Sequence, residues 1–171
     1  MPEERSLSDV LRNSLIYGDL SFRDFVELAL YHPQYGYYSR SRSPAGSEGD
    51  FITAPLLSPL FSDVLGNLID DFLSRAGDGV SQVVDIGCGD GALIRDLARA
   101  RDTRAHVFYG LDRSLGRAVP DPRVTYVSSL AEIPPAEARL IISNELFDAI
   151  PFARLVRRDE NLHELWVTER E

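Results

Sequence analysis

The chain has 171 residues, 44% of them apolar and 26% charged, and its 27 acids against 18 bases leave a formal net charge of −9. This length supports one domain with a real core, and the composition is globular, not that of a disordered chain. The acidic balance argues against binding a phosphate backbone, and no run is apolar enough to cross a bilayer as a helix.

Residues 1–5 lack the basic flank and apolar stretch of a signal peptide. The single Cys88 rules out an internal disulfide and fits a reducing compartment. Together these set the expectation of a cytoplasmic protein. The first predicted helix runs from Ser8, as N-cap, to Tyr17, with Gly18 as its stop. The second begins at Ser21, with Asp24 three residues on as an imperfect capping box, and ends at Pro33. Tyr35, Tyr37 and Tyr38 follow and are expected to pack, and His32 is expected to be a helix-end residue and not a base. A polar loop spans 39–49. The third helix has Ser58 as N-cap and Pro59 at its first position, with a wide apolar stripe from Leu60 to Leu73. Gly77 and Gly79 close it.

From there the pattern alternates. Strands are predicted at Gln82–Ile86, His106–Leu111, Val124–Val127 and Leu140–Ser143, with a helix over Gly91–Ala100 after the first. Two more strands, Phe152–Arg157 and Leu162–Thr168, flank a turn at 159–161. Strands separated by helices or short crossovers predict a parallel α/β sheet. The expected division is an N-terminal helical lid region, 1–79, and a sheet domain, 80–171.

The chemistry centres on Val83-Val84-Asp85-Ile86-Gly87-Cys88-Gly89-Asp90-Gly91. A strand, a tight glycine turn and a helix N-terminus together make a nucleotide or cofactor cradle. The run also satisfies the dinucleotide pattern G-x-G-x-x-[GA]. Asp85 and Asp90 would repel a pyrophosphate and welcome an ammonium group. Asp112 ends the next strand, where a carboxylate can accept both ribose hydroxyls. NAD and S-adenosylmethionine (SAM) share that contact; Asp85 favours SAM. The simpler alternative is a strand-to-helix turn in which Asp85 caps the helix. Cys88 reads as a small packed residue and not a nucleophile. Asn144 and Glu145 follow the fourth predicted strand and should border a cofactor. Asp148 is equally readable as a helix N-terminal acid that complements the dipole, and Glu145 is less so.

Three motifs then carry a resemblance. Ser21-Phe22-Arg23-Asp24-Phe25-Val26-Glu27-Leu28-Ala29-Leu30-Tyr31-His32-Pro33-Gln34-Tyr35-Gly36-Tyr37-Tyr38 is similar to the opening signature of the MidA-like SAM-dependent methyltransferases. So are Gly49-Asp50-Phe51-Ile52-Thr53-Ala54-Pro55, with Ser58-Pro59-Leu60-Phe61, and Asn144-Glu145-Leu146-Phe147-Asp148-Ala149-Ile150-Pro151. The glycine loop departs from the family's usual Glu-x-Gly-Pro-Gly-x-Gly. The resemblance implies a Rossmann-like class I methyltransferase sheet, incomplete at the C-terminus because relatives are about twice as long. It implies a SAM-dependent methyltransferase acting on a protein arginine, with a respiratory complex I subunit as the mitochondrial members' substrate. On that reading SAM contacts Asp85, Gly87, Gly89, Gly91, Asp112, Ser129, Leu130 and Asn144. Glu145, Asn144 and Asp50 stand on the catalytic side, and no metal is implied. The alternatives are a SAM-binding or partner-binding remnant without turnover and, less favoured, an NAD-dependent oxidoreductase. An unfinished sheet would leave an edge open to self-association or to a partner strand.

Overall fold

A computed structural model describes residues 6–39, 49–50, 52–75, 81–99, 101 and 106–169. Most of the polar loop expected at 39–49, the start used for the signal-peptide reading, Phe51, the closing Gly77 and Gly79, and Ala100 lie outside the described residues. The described part divides into two compact units, 1–42 with 147–171, and 43–146.

In the first unit, α1 (Leu7–Ile16) is capped by Ser6, whose Oγ accepts from the Asp9 amide, and not by Ser8 as expected. The helix starts two residues earlier because Asp9 lies at the right offset to bond back to Ser6. The Ser21 cap of α2 (Phe22–Tyr31) is as expected. Its Oγ accepts from the Asp24 amide at 3.1 Å and donates to the Asp24 carboxylate at 2.7 Å. His32 is the C-cap, its Nδ1 accepting from the Gln34 and Tyr35 amides. The tyrosines pack: Tyr31 stacks on Tyr38, and Tyr37 meets Tyr38 edge-on. β6 (Leu155–Arg158) and β7 (Asn161–Glu164) form an antiparallel hairpin. The strand expected over Leu162–Thr168 is broken at Leu165, whose amide donates to the Arg154 carbonyl. The remainder, β8 (Trp166–Val167), pairs antiparallel with β1 (Leu20–Ser21).

The second unit holds the sheet. Its strands β2 (Ser81–Ile86), β3 (His106–Leu111), β4 (Val124–Val127) and β5 (Ala138–Ile142) are all parallel, in spatial order β4-β3-β2-β5. This is half of a doubly wound, Rossmann-like sheet, whose chain reverses its direction of travel between β2 and β5. The short α3 (Ala54–Leu57), not foreseen, precedes α4 (Pro59–Arg75). Ile69 and Leu73 of α4 join Leu93, Ile94, Leu97 and Ala98 of α5 (Ala92–Arg99) against Val83, Phe108 and Val124. Burying these side chains is the main stabilising term, about 1.5–3 kcal/mol for each large one. The wide stripe expected on α4 is only partly buried. Leu60, Val64 and Leu68 are exposed, because the helix meets the core on the face that carries Phe61, Leu65, Ile69, Phe72 and Leu73. The two compact units cut across the expected division at 79/80: α4 groups with the sheet, and the C-terminal strands group with α1 and α2.

Candidate functional site

The glycine turn sits at the carboxyl end of β2. Gly87, Gly89 and Gly91 have φ of 79°, 57° and 80°. This left-handed region is strained for residues with a Cβ. The Gly87 and Cys88 amides donate to the Leu111 carbonyl, lashing the turn to β3. The Gly91 amide closes on the Cys88 carbonyl at 2.8 Å, and the Asp90 carboxylate caps α5 through the Ala92 amide. Asp90, and not Asp85, is therefore the helix cap.

Asp112 is a second brace. One carboxylate oxygen accepts from the Gly89 amide at 3.0 Å, the other from Ser114 at 2.9 Å. Each oxygen keeps a further lone pair. Asp85 is different. The residue is 2% exposed, and among the described residues no hydrogen bond to its carboxylate offsets the burial. Burial first, and the nearby Asp112 second, push its pKa up to about 7. Burial and the same acids also push the Cys88 thiol well above its usual range, so it is a packed, unreactive group.

The three glycines have different surroundings. A Cβ on Gly87 would press on Leu146 Cδ1, 2.8 Å away, and one on Gly91 would collide with the Tyr126 ring. A Cβ on Gly89 would meet nothing within 4 Å. The turn is thus packed at both ends and open in the middle, where a ligand can approach the backbone.

Asp85, Gly87, Gly89, Gly91 and Asp112 are brought together at one end of the sheet. Ser129 and Leu130 follow β4 at that same end, exposed in a short 3-10 turn whose cap is Ser129. Asn144 and Glu145 follow β5, and Leu146 seats this segment against Gly87. Glu145 is exposed and has φ of 52°, a conformation costing about 1 kcal/mol for a residue with a side chain and concentrated at functional sites. Asp148 lies in a 3-10 turn, Phe147–Ala149, in the other compact unit. Asp50 is exposed in a bend bounded by undescribed residues, and stays a candidate on sequence alone. Among the described residues no cluster of His, Cys, Asp and Glu could hold a metal.

Leu146, Arg95 and Tyr126 escaped the sequence reading. Arg95 donates to the Asp90 and Val119 carbonyls. The available signal was Gly110, a glycine inside a strand, which marks a close approach by a neighbour.

An electrostatically odd acid beneath an open glycine turn, with a carboxylate at the end of the adjacent strand, is an arrangement suited to a nucleoside cofactor. Comparison with known proteins gives the class. Residues 112–171 match a family described as putative S-adenosyl-L-methionine-dependent methyltransferases. The mitochondrial protein arginine methyltransferase NDUFAF7 of Bos taurus is 28% identical over 134 residues, covering 75% of this chain and 30% of the relative. The Drosophila melanogaster homologue is 33% identical over 96 residues, 55% of this chain and 22% of its own. The Caenorhabditis elegans homologue is 23% identical over 197 residues, 96% of this chain and 45% of its own. The chain thus spans less than half the length of these relatives. On these matches and its three motifs, the chain is similar to the MidA-like SAM-dependent methyltransferases, a family whose cofactor is SAM. The expectation of a cytoplasmic protein is corrected: these relatives are named as mitochondrial. A lone cysteine identifies only a reducing setting, which is no address.

Proposed function

We propose that this chain binds SAM in the glycine cradle and directs its methyl group to an arginine side chain of a protein. The observation that carries the reading is Asp85, a buried carboxylate with no hydrogen-bond donor beside an open turn. Such a group is costly unless a cation or donor completes it. The ammonium of SAM is such a cation. Asp112 would take the ribose hydroxyls on its remaining lone pairs, and Ser129 and Leu130 would border the adenine. Bound there, SAM supplies an electrophilic methyl on a sulfonium.

The residues of the chain do the aligning, which is most of the catalysis in an in-line displacement. An arginine guanidinium is always cationic and suits bidentate carboxylate contacts. Glu145, with Asn144 beside it and Asp50 as a further acid, would hold it and concentrate charge on one nitrogen. The relatives' name, protein arginine methyltransferase, supports the acceptor class. The family resemblance supports a respiratory complex I subunit as the particular acceptor. The outer edge of β5, unpaired among the described residues, would be open to the self-association expected from sequence.

The test is transfer of radiolabelled methyl from SAM to protein in a lysate, with amino-acid analysis of the product. Labelled methylarginine is the expected result. Absence of S-adenosylhomocysteine (SAH) binding by calorimetry would sink the reading at its first step.

A further inference from the structure

Asp85, Gly110 and Tyr126 stand in one row across β2, β3 and β4, paired in register. They therefore point to the same face of the sheet, the face that α5 covers. The middle position has no side chain, and Tyr126 uses the space. A Cβ on Gly110 would lie 2.8 Å from the Tyr126 Cδ1 and Cε1 atoms and 2.9 Å from Cys88 Sγ. The ring extends from there to the glycine turn. A Cβ on Gly91 would lie 2.7 Å from Tyr126 Cε1 and 2.8 Å from Cζ, and would meet the hydroxyl as well. Two glycines on different elements are thus both filled by one ring.

The hydroxyl end is also fixed. It donates to the Val119 carbonyl at 3.0 Å. The Val119 amide donates to the Asp90 carbonyl at 2.9 Å, and Arg95 reaches both the Asp90 and Val119 carbonyls. Asp90 belongs to the glycine turn, and Val119 belongs to the connection that begins at Asp112. Tyr126 therefore touches the two segments that would bind the cofactor, and sits behind both.

We infer that Tyr126 is a positioning residue for the cofactor cradle: its ring is the floor on which Gly91 and the start of α5 rest, and its hydroxyl registers the Asp112–Val119 connection against that turn. This rests on the SAM reading above. The ring does most of the work, since it replaces the missing side chains of Gly91 and Gly110. The hydroxyl adds one ordinary hydrogen bond.

The experiment compares wild type, Tyr126→Phe and Tyr126→Leu by thermal melting and by SAH calorimetry, with hydrogen exchange read at the amides of 89–93. Tyr126→Phe keeps the ring and should bind SAH within about threefold of wild type, the worth of one net hydrogen bond. Folded Tyr126→Leu should bind about tenfold or more weaker, a loss of about 1.4 kcal/mol, because Gly91 and Gly110 lose the ring that fills the space beside them. A merely structural tyrosine would lower the melting temperature and leave the affinity of the folded protein alone. Wild-type affinity in folded Tyr126→Leu overturns the inference. If Tyr126→Leu does not fold, Gly110→Ala displaces the same ring and carries the same expectation and the same overturning result. If wild type itself does not bind SAH, the SAM reading fails. Exchange then decides the positioning role alone: faster exchange at 89–93 in Tyr126→Leu or Gly110→Ala than in Tyr126→Phe supports it, and equal exchange overturns it.

Discussion

Asp85 concentrates the argument on a single carboxylate. Its pKa in the folded chain, about 7, lies far above the value of about 3.9 that an unfolded carboxylate shows. Folding therefore takes up a proton between these values. The stability contributed by this group is complete below about pH 4 and is lost as pH rises through 7. Asp85→Asn removes the buried charge. Its melting temperature relative to wild type should rise between pH 5 and pH 8, measured by calorimetric scans across that range. The same substitution should cost cofactor affinity, because an ammonium group loses its counter-charge. In wild type the two effects are linked. Below pH 7 the carboxyl must give up its proton to receive a cation, so SAH affinity should strengthen as pH rises from 5.5 to 8. Titrations in buffers of different ionisation enthalpy should show proton release near pH 6. A pH-independent affinity would mean that Asp85 is not the group facing the ammonium.

At the scale of elements, the glycine turn shows how alike residues separate by surroundings. All three glycines have positive φ, so any substitution carries about 1–2 kcal/mol of backbone strain. Gly91→Ala adds a collision with Tyr126 on top, and overpacking of this kind costs about 1–3 kcal/mol more. Gly89→Ala adds none, since the space beyond it is open. Thermal melting should rank Gly91→Ala clearly below Gly89→Ala, while calorimetry should find SAH binding lost in Gly89→Ala despite its milder destabilisation. Retained binding there would show that the ligand does not approach over the middle of the turn.

Much of this was legible in the sequence because the signals are local. Val83 to Gly91 declares a strand and a turn in nine adjacent residues, and Ser21 with Asp24 declares a helix start. What was not legible depends on partners remote in the chain. β8 exists because Trp166 and Val167 meet Leu20 and Ser21 from the opposite end of the sequence. The broad stripe of α4 could not reveal which of its residues a neighbour would cover. In sequence Tyr126 is one residue of a strand, and only the fold sets Gly110 and Gly91 against its ring. The place of Glu145 after a strand is legible, and its left-handed backbone is not.

The chain as a whole is acidic, with a formal net charge of −9, and the acceptor proposed for it is cationic. A field of that sign raises the local concentration of basic segments and speeds their encounter. Such steering is weakened by salt, since the screening length falls from about 10 Å at 0.1 M to about 3 Å at 1 M. On the proposed reading the cofactor would be held differently, in a packed cradle at short range, where screening is weaker. The two ligands should therefore separate under salt. With a basic arginine peptide as acceptor, the KM for peptide should climb steadily between 50 mM and 500 mM NaCl, while the KM for SAM moves little. Steady-state methyl-transfer kinetics at several salt concentrations measure both. If the two KM values rise together, salt is acting on the fold or on the cradle. If neither rises, recognition of the acceptor is confined to the few acids at the end of β5, and the charge of the remaining surface serves only solubility.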